Sequence, residues 1–226
     1  MTTVTENFEG FHLHYLISQP KEYPEKTKAI VLLHGTGSNE EDMFGLATSL
    51  PDDYLIISAR APFVIGERRY TWFMVDFSSG RPVIDVEQEL KSRKMLAAFL
   101  INLKRVYKID ELFVGGFSQG GIMSYSIGLI WPHLVQGIFA LSSRILPEIR
   151  PSVKKDDALQ QVPVFIAHGI HDLTLPVLYA REARAYLEGL NIYPSYHEYE
   201  MGHQIKEVEL LDLVNWLGRY DAQPPV

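Results

Sequence analysis

Two kinds of hydrophobic spacing alternate along the chain. The runs AIVLLHG (29–35), YLIISA (54–59), ELFVGGF (111–117), VQGIFALSS (135–143) and PVFIAHG (163–169) are short and almost unbroken in apolar character. Strands buried on both faces of a parallel sheet read this way. Between them lie segments of helical period. Residues 38–50 place Met43, Leu46, Ala47 and Leu50 on one stripe behind the cap candidates Ser38 and Asn39. Further helices are predicted over 85–108, 119–131, 175–190 and 204–220, the second of these stopping before Pro132. FHLHYLIS (11–18) and YPSYHEYE (193–200) alternate as half-exposed strands do, the first expected near a sheet edge.

Strands that alternate with helices imply βαβ units, a mainly parallel sheet and right-handed crossovers. Residues 60–84 keep no period and read as a long connection, which in a compact domain often carries function. Whether that segment forms a mobile flap, the pattern leaves open. A polar loop with a short helical piece precedes residue 163. No repeat or linker divides the chain, so a single domain over 1–226 is expected. Its first ~10 and last ~6 residues are expected to be loose ends.

Composition removes several classes of function. A net charge of -7 and a pI of about 5.6 argue against nucleic-acid binding, which needs a basic face. The absence of cysteine excludes disulfides, thiolate metal sites and a cysteine nucleophile. The first ten residues lack the basic and apolar regions of a secretory signal, and no apolar run approaches the ~18 residues of a membrane span. A cytoplasmic protein is the expectation.

The chemistry concentrates in Gly116-Phe117-Ser118-Gln119-Gly120, a G-x-S-x-G that follows an apolar strand and opens a predicted helix. That setting suits a nucleophile elbow, in which a serine stands on a strained turn and flanking glycines remove Cβ atoms that would collide with neighbouring elements. It also suits an ordinary tight strand–helix turn. No phosphate-cradling G-x-x-x-x-G-K-[ST] is present. A serine nucleophile needs a base, and the base needs an orienting acid. Of the histidines after Ser118, His203 lies in a loop between the last strand and last helix, whereas His197 falls inside a strand pattern. Asp172 lies just past the carboxyl end of a buried strand, where open α/β sheets gather their sites; a helix cap is its alternative role.

The loop after the first buried strand carries His34-Gly35-Thr36-Gly37, so the backbone N–H groups of Thr36 and Gln119 are candidates for an oxyanion hole. His168/His171 and His12/His14 lack a third ligand in a recognisable pattern; no metal and no cofactor is expected. His168 is read as a strand-end member of a hydrogen-bond network. Phe63, Trp72, Phe73 and Met74 are candidate acyl-pocket residues, with core packing as the alternative.

LLHGTGSNEEDM, GGFSQGG, HGIHDLTLP and MGHQI resemble the signature blocks of the phospholipase/carboxylesterase family of α/β-hydrolases, which includes acyl-protein thioesterases. RAP…YTWF resembles its substrate-loop segment, and the likeness runs from about residue 29 to 218. The resemblance implies the α/β-hydrolase fold, a mostly parallel sheet with helices on both faces and no large lid domain. It also implies Ser118 as nucleophile, Asp172 as acid, His203 as base, and Thr36 and Gln119 at the oxyanion positions. Thr36 with SNEED stands where acyl-protein thioesterases tend to carry a leucine and another glycine-rich run. Together with a shorter 60–84 segment, this points to the bacterial carboxylesterase branch.

The expected partner is a small-molecule ester with a small or medium acyl chain; a homodimer is left open. Acyl-protein thioesterase or lysophospholipase activity is the alternative within the family. A non-catalytic hydrolase-like binding protein is the alternative outside it, expected to have lost one of the three residues. A dienelactone-hydrolase-like enzyme typically uses cysteine, which is absent here.

Overall fold

The computed structural model describes residues 2–5, 13–20 and 25–221. Its centre is β3 (Lys28–Leu33), apolar from Ala29 onward because each face meets a separate layer of helices. Ala29, Val31 and Leu33 join one core cluster, while Ile30 and Leu32 join the other. β4 (Tyr54–Ala59) lies parallel to β3 on one side, and β9 (Glu111–Phe117) lies parallel on the other. The sheet continues through β10 (Gly137–Leu141), β11 (Val164–Gly169) and β12 (Ser195–Tyr199), all parallel. After β3 the chain steps to β4 and later returns to β9 on the opposite side. Loops diverge at such a switch point and leave a crevice at the carboxyl ends of the strands.

β2 (His14–Ser18) pairs antiparallel with β4 and lies one strand in from the sheet edge, near it as its alternation suggested. Thr2–Thr5, left outside any element by the pattern, forms β1 and supplies the edge beyond it. Three of its four residues are threonine and it has no apolar period, so only pairing reveals it. His12 lies outside the described residues.

α2 (Val86–Tyr107), α3 (Gln119–Ile130) and α5 (Leu178–Gly189) cover one face; α1 (Glu40–Phe44) and α6 (Glu207–Asp221) cover the other. Asn39 caps α1 by accepting from the N–H groups of Glu41 and Asp42, and Asp85 caps α2 by accepting from Gln88. The helix expected over 38–50 is split, with a 3₁₀ stretch over Gly45–Ser49. α5 starts three residues later than its pattern, because Pro176 disfavours helical geometry at Leu175. α4 (Asp157–Gln160) is the short helical piece in the polar loop before β11.

Residues 60–84 are not irregular. β5 (Phe63–Gly66) pairs with β6 (Arg69–Thr71), and β7 (Val75–Asp76) pairs with β8 (Val83–Ile84). Strands of two to four residues are too short to show a period of two. Among the described residues no helix is long and apolar enough to cross a membrane.

One carboxyl is carried into the core. Glu209, in the first turn of α6, is fully buried; one oxygen meets the Lys206 N–H at 3.4 Å and the other has no partner. Burial pushes its pKa from 4.5 up to about 8. The folded state therefore holds this proton more tightly than the unfolded chain, and stability falls as pH rises from about 4.5 through 8. Glu209→Gln is expected to stabilise the protein progressively over that window, by roughly 2–4 kcal/mol at its alkaline end. Urea unfolding of both proteins at pH 5 and pH 9 checks this; a difference independent of pH would refute it.

Candidate active site

The carboxyl ends of β3, β9, β10 and β11 build the site. At the end of β9, Ser118 adopts φ 54° and ψ −117°, a left-handed conformation that a non-glycine residue holds only when its surroundings enforce it. Its N–H donates to the Leu141 carbonyl at 2.9 Å. The Ser143 hydroxyl donates to the Ser118 carbonyl at 2.8 Å. The turn is sharp enough to press α3 against β3: a Cβ added at Gly116 or Gly120 would lie 2.2 or 1.9 Å from the Leu33 carbonyl oxygen.

The three separated candidates meet here. Ser118 Oγ lies 3.0 Å from His203 Nε2, and His203 Nδ1 lies 2.6 Å from Asp172 Oδ2. A carboxylate only accepts, so Nδ1–H donates to Asp172 and Nε2 accepts the serine proton. The loop of His203 follows β12, and its ring packs against Phe117 with centroids 4.6 Å apart. Asp172 is buried, and its Oδ1 accepts from the Thr174 and Leu175 N–H groups at 2.9 and 2.8 Å. The carboxylate thus closes a local turn and does not cap α5, whose late start puts Val177 at the cap. His168 supports the same carboxylate, with Nε2 at 2.7 Å from the Leu175 carbonyl and 3.3 Å from Asp172 Oδ2. Burial lowers the His168 pKa and favours its neutral form.

The β3–α1 loop forms the opposite wall. A Cβ added at Gly35 would lie 3.2 Å from Ser118 Cβ, so the backbone leading to Thr36 runs against the serine. Gly37 follows at φ 81° and donates to the Tyr70 carbonyl at 2.8 Å. His34 fixes this loop: Nδ1–H donates to the Gly35 carbonyl at 2.7 Å and Nε2 accepts from the Ala61 N–H at 3.0 Å. Burial lowers its pKa, which keeps Nε2 an acceptor. Gln119 opens α3, so its own N–H has no carbonyl one helical turn before it.

Pattern reading assigned Gln119 only its backbone, yet its side chain is a buried clamp. Oε1 accepts from the Thr71 hydroxyl at 2.8 Å and the Trp72 N–H at 2.7 Å, while Nε2 donates to the Phe73 carbonyl at 2.7 Å. An amide beside the serine was the available signal; its partners lie 46 to 48 residues away. Of the two roles left open for Trp72 and Phe73, pocket lining and core packing, their burial favours packing. They are 0% and 1% exposed, and the Trp72 indole donates to the His34 carbonyl at 3.0 Å. Two large aromatics gain more from this packing than a cleft wall would give them. Met74 is 45% exposed, and Phe63 lies on the β5–β6 hairpin beneath Lys91.

His171 is exposed and bonds Glu200 at 2.7 Å, away from His168's buried network. Among the described residues no group of three or more His, Asp or Glu side chains could hold a metal ion.

Comparison with known proteins adds a family to this geometry. The family described as Phospholipase/Carboxylesterase matches residues 14–219. Acyl-protein thioesterase 1 of Gibberella zeae is 28% identical over 222 residues, covering 86% of this chain and 91% of its own. The crystal structure of esterase PE8 superposes with a TM-score of 0.79 at 26% identity, covering 92% of this chain and 98% of that one. The Bacillus cereus carboxylesterase has the same fold, with a TM-score of 0.78 at 24% identity over 92% of this chain and 94% of its own.

Proposed function

Because the chain belongs to the phospholipase/carboxylesterase family, we propose that it is a serine hydrolase cleaving carboxylic esters of small or medium acyl chains through an acyl-enzyme. The observation that carries this reading is the continuous hydrogen-bonded chain from Ser118 through His203 to Asp172. In the proposed reaction Ser118 Oγ attacks the acyl carbon as its proton passes to His203 Nε2, and Asp172 stabilises the imidazolium. The carbonyl oxygen of the tetrahedral intermediate takes hydrogen bonds from the Thr36 and Gln119 N–H groups. The intermediate collapses by breaking the bond to the alcohol, which receives the proton from His203. Water, deprotonated by the same histidine, then attacks the acyl-serine and releases the acid and free Ser118. A cytoplasmic location is part of this reading.

A second reading, acyl-protein thioesterase activity, is favoured by the curated relatives of that name. A fluorophosphonate probe tests serine reactivity directly: the folded protein is expected to label, and labelling is expected to vanish in Ser118→Ala. Matched p-nitrophenyl esters and acyl thioesters of rising chain length then separate the two substrate classes. Failure of the folded wild-type protein to label would refute the hydrolase reading and favour a binding protein of hydrolase fold.

A further inference from the structure

We infer that Arg69 and Arg144 are specificity-determining residues that select esters bearing a free carboxylate. This deepens the hydrolase reading above and rests on it.

Arg69 packs on the loop after β3 and Arg144 follows β10, the two strands on either side of β9, whose end carries Ser118. Arg69, exposed on β6, lays its guanidinium on the loop that carries Thr36. A Cβ added at Gly37 would meet its Nη2 at 3.1 Å, Nε at 3.6 Å and Cζ at 3.8 Å. Gly37 is two residues beyond Gly35, which itself runs against Ser118. Arg144 comes directly after Ser143, whose hydroxyl holds the Ser118 carbonyl. Its guanidinium stands 5.1 Å from the Tyr179 ring, at the start of α5 just past the Asp172 turn. Its Nε is buried without a hydrogen-bond partner.

Their neighbours are held in ion pairs. Arg60 is paired with Glu40, Arg68 with Glu41 and Arg181 with Glu198. Among the described residues no carboxylate lies within ion-pair distance of Arg69 or Arg144. Asp42 is taken by the Ser38 hydroxyl at 2.6 Å, and Glu67, two residues from Arg69, does not reach it. In a chain of net charge -7, two guanidinium groups without a carboxylate partner, on segments that adjoin the serine turn, supply a local source of positive charge. A neutral ester makes no use of that field, whereas a carboxylate matches the planar fork of donors. Arg144 is partly shielded from water and is expected to contribute more than Arg69, because exposed pairs are screened.

The test measures kcat/KM for two matched pairs. Monoethyl adipate against diethyl adipate places the carboxylate on the acyl side. Acetoxyacetate against its ethyl ester places it on the alcohol side. In at least one pair the charged member is expected to be preferred by about tenfold or more, the scale of a hydrogen bond to a charged group. Arg144→Gln is expected to lower that ratio about tenfold, and Arg69→Gln about threefold, with the wild-type preference shrinking as salt is added. The pair that shows the preference assigns the carboxylate to the acyl or the alcohol side. No preference in either pair, or a ratio unchanged in both variants, overturns the inference. Fluorophosphonate labelling of every protein keeps the two readings apart. Labelling without carboxylate preference removes this inference alone, and absence of labelling in the folded wild-type protein removes the hydrolase reading beneath it.

Discussion

Ser118→Ala is expected to lower kcat/KM for a p-nitrophenyl ester by on the order of 10⁵-fold, and Asp172→Asn by on the order of 10⁴-fold. The two losses have different causes. In the proposed mechanism the loss of Oγ removes the nucleophile, and what remains is water attacking a carbonyl held near the backbone donors. In Asp172→Asn the turn survives, because the amide oxygen can still accept from Thr174 and Leu175. The amide nitrogen then faces His203 Nδ1, a donor opposite a donor. The imidazole is driven to the other tautomer, with its proton on Nε2, where it cannot accept from Ser118 Oγ. In the proposed mechanism the serine, histidine and aspartate act as one unit, so the double variant should be little worse than Ser118→Ala alone. Steady-state kinetics on the three proteins, with far-UV circular dichroism to confirm folding, decide the matter. Wild-type rates in folded Ser118→Ala would remove Ser118 as the nucleophile, and near-wild-type rates in Asp172→Asn would remove Asp172 from the unit.

Gly120→Ala is expected to abolish the native fold, at a cost above about 4 kcal/mol. A Cβ at this position would lie 1.9 Å from the Leu33 carbonyl oxygen, 2.4 Å from the Leu33 carbonyl carbon and 2.8 Å from the His34 carbonyl oxygen. All three atoms belong to the backbone of β3 and its outgoing loop, so no rotamer change relieves the contact. The helix must back away, and Ser118, Gln119 and the loop before Thr36 lose their mutual positions. Gly218→Ala is the control. This glycine lies within α6 with nothing inside 4 Å of an added Cβ, and alanine there should stabilise by about 0.5–1 kcal/mol through helix propensity. Urea unfolding of both variants checks the contrast; a soluble, cooperatively folding Gly120→Ala near wild-type stability would overturn it.

Much of the molecule was legible in advance because its signals are local or sit close together in the chain. Buried parallel strands need continuous apolar runs, so β3, β4, β9, β10 and β11 could be placed from residue type alone. The serine turn was legible because close approach of α3 and β3 excludes side chains, which writes glycines at 116 and 120. Asp172 and His203 followed from their places past the ends of β11 and β12. Harder to see were features whose partners lie far along the chain. Trp72 and Phe73 looked equally suited to pocket or core, since an aromatic side chain fills either. Only the Gln119 clamp and the His34 carbonyl assign them to the interior.

The sequence by itself determined the alternation of strands and helices, the sharp turn at Ser118 and the order serine, aspartate, histidine. Period and steric exclusion act over a few residues and leave their mark there. Only the tertiary structure decided that Thr2–Thr5 closes the sheet edge and that 63–84 folds into two hairpins. It alone decided that Asp172 caps its own turn, and that Arg69 and Arg144 lack a carboxylate partner. Pairing of short strands and pairing of charges depend on distances between segments far apart in the chain. No local pattern encodes those distances.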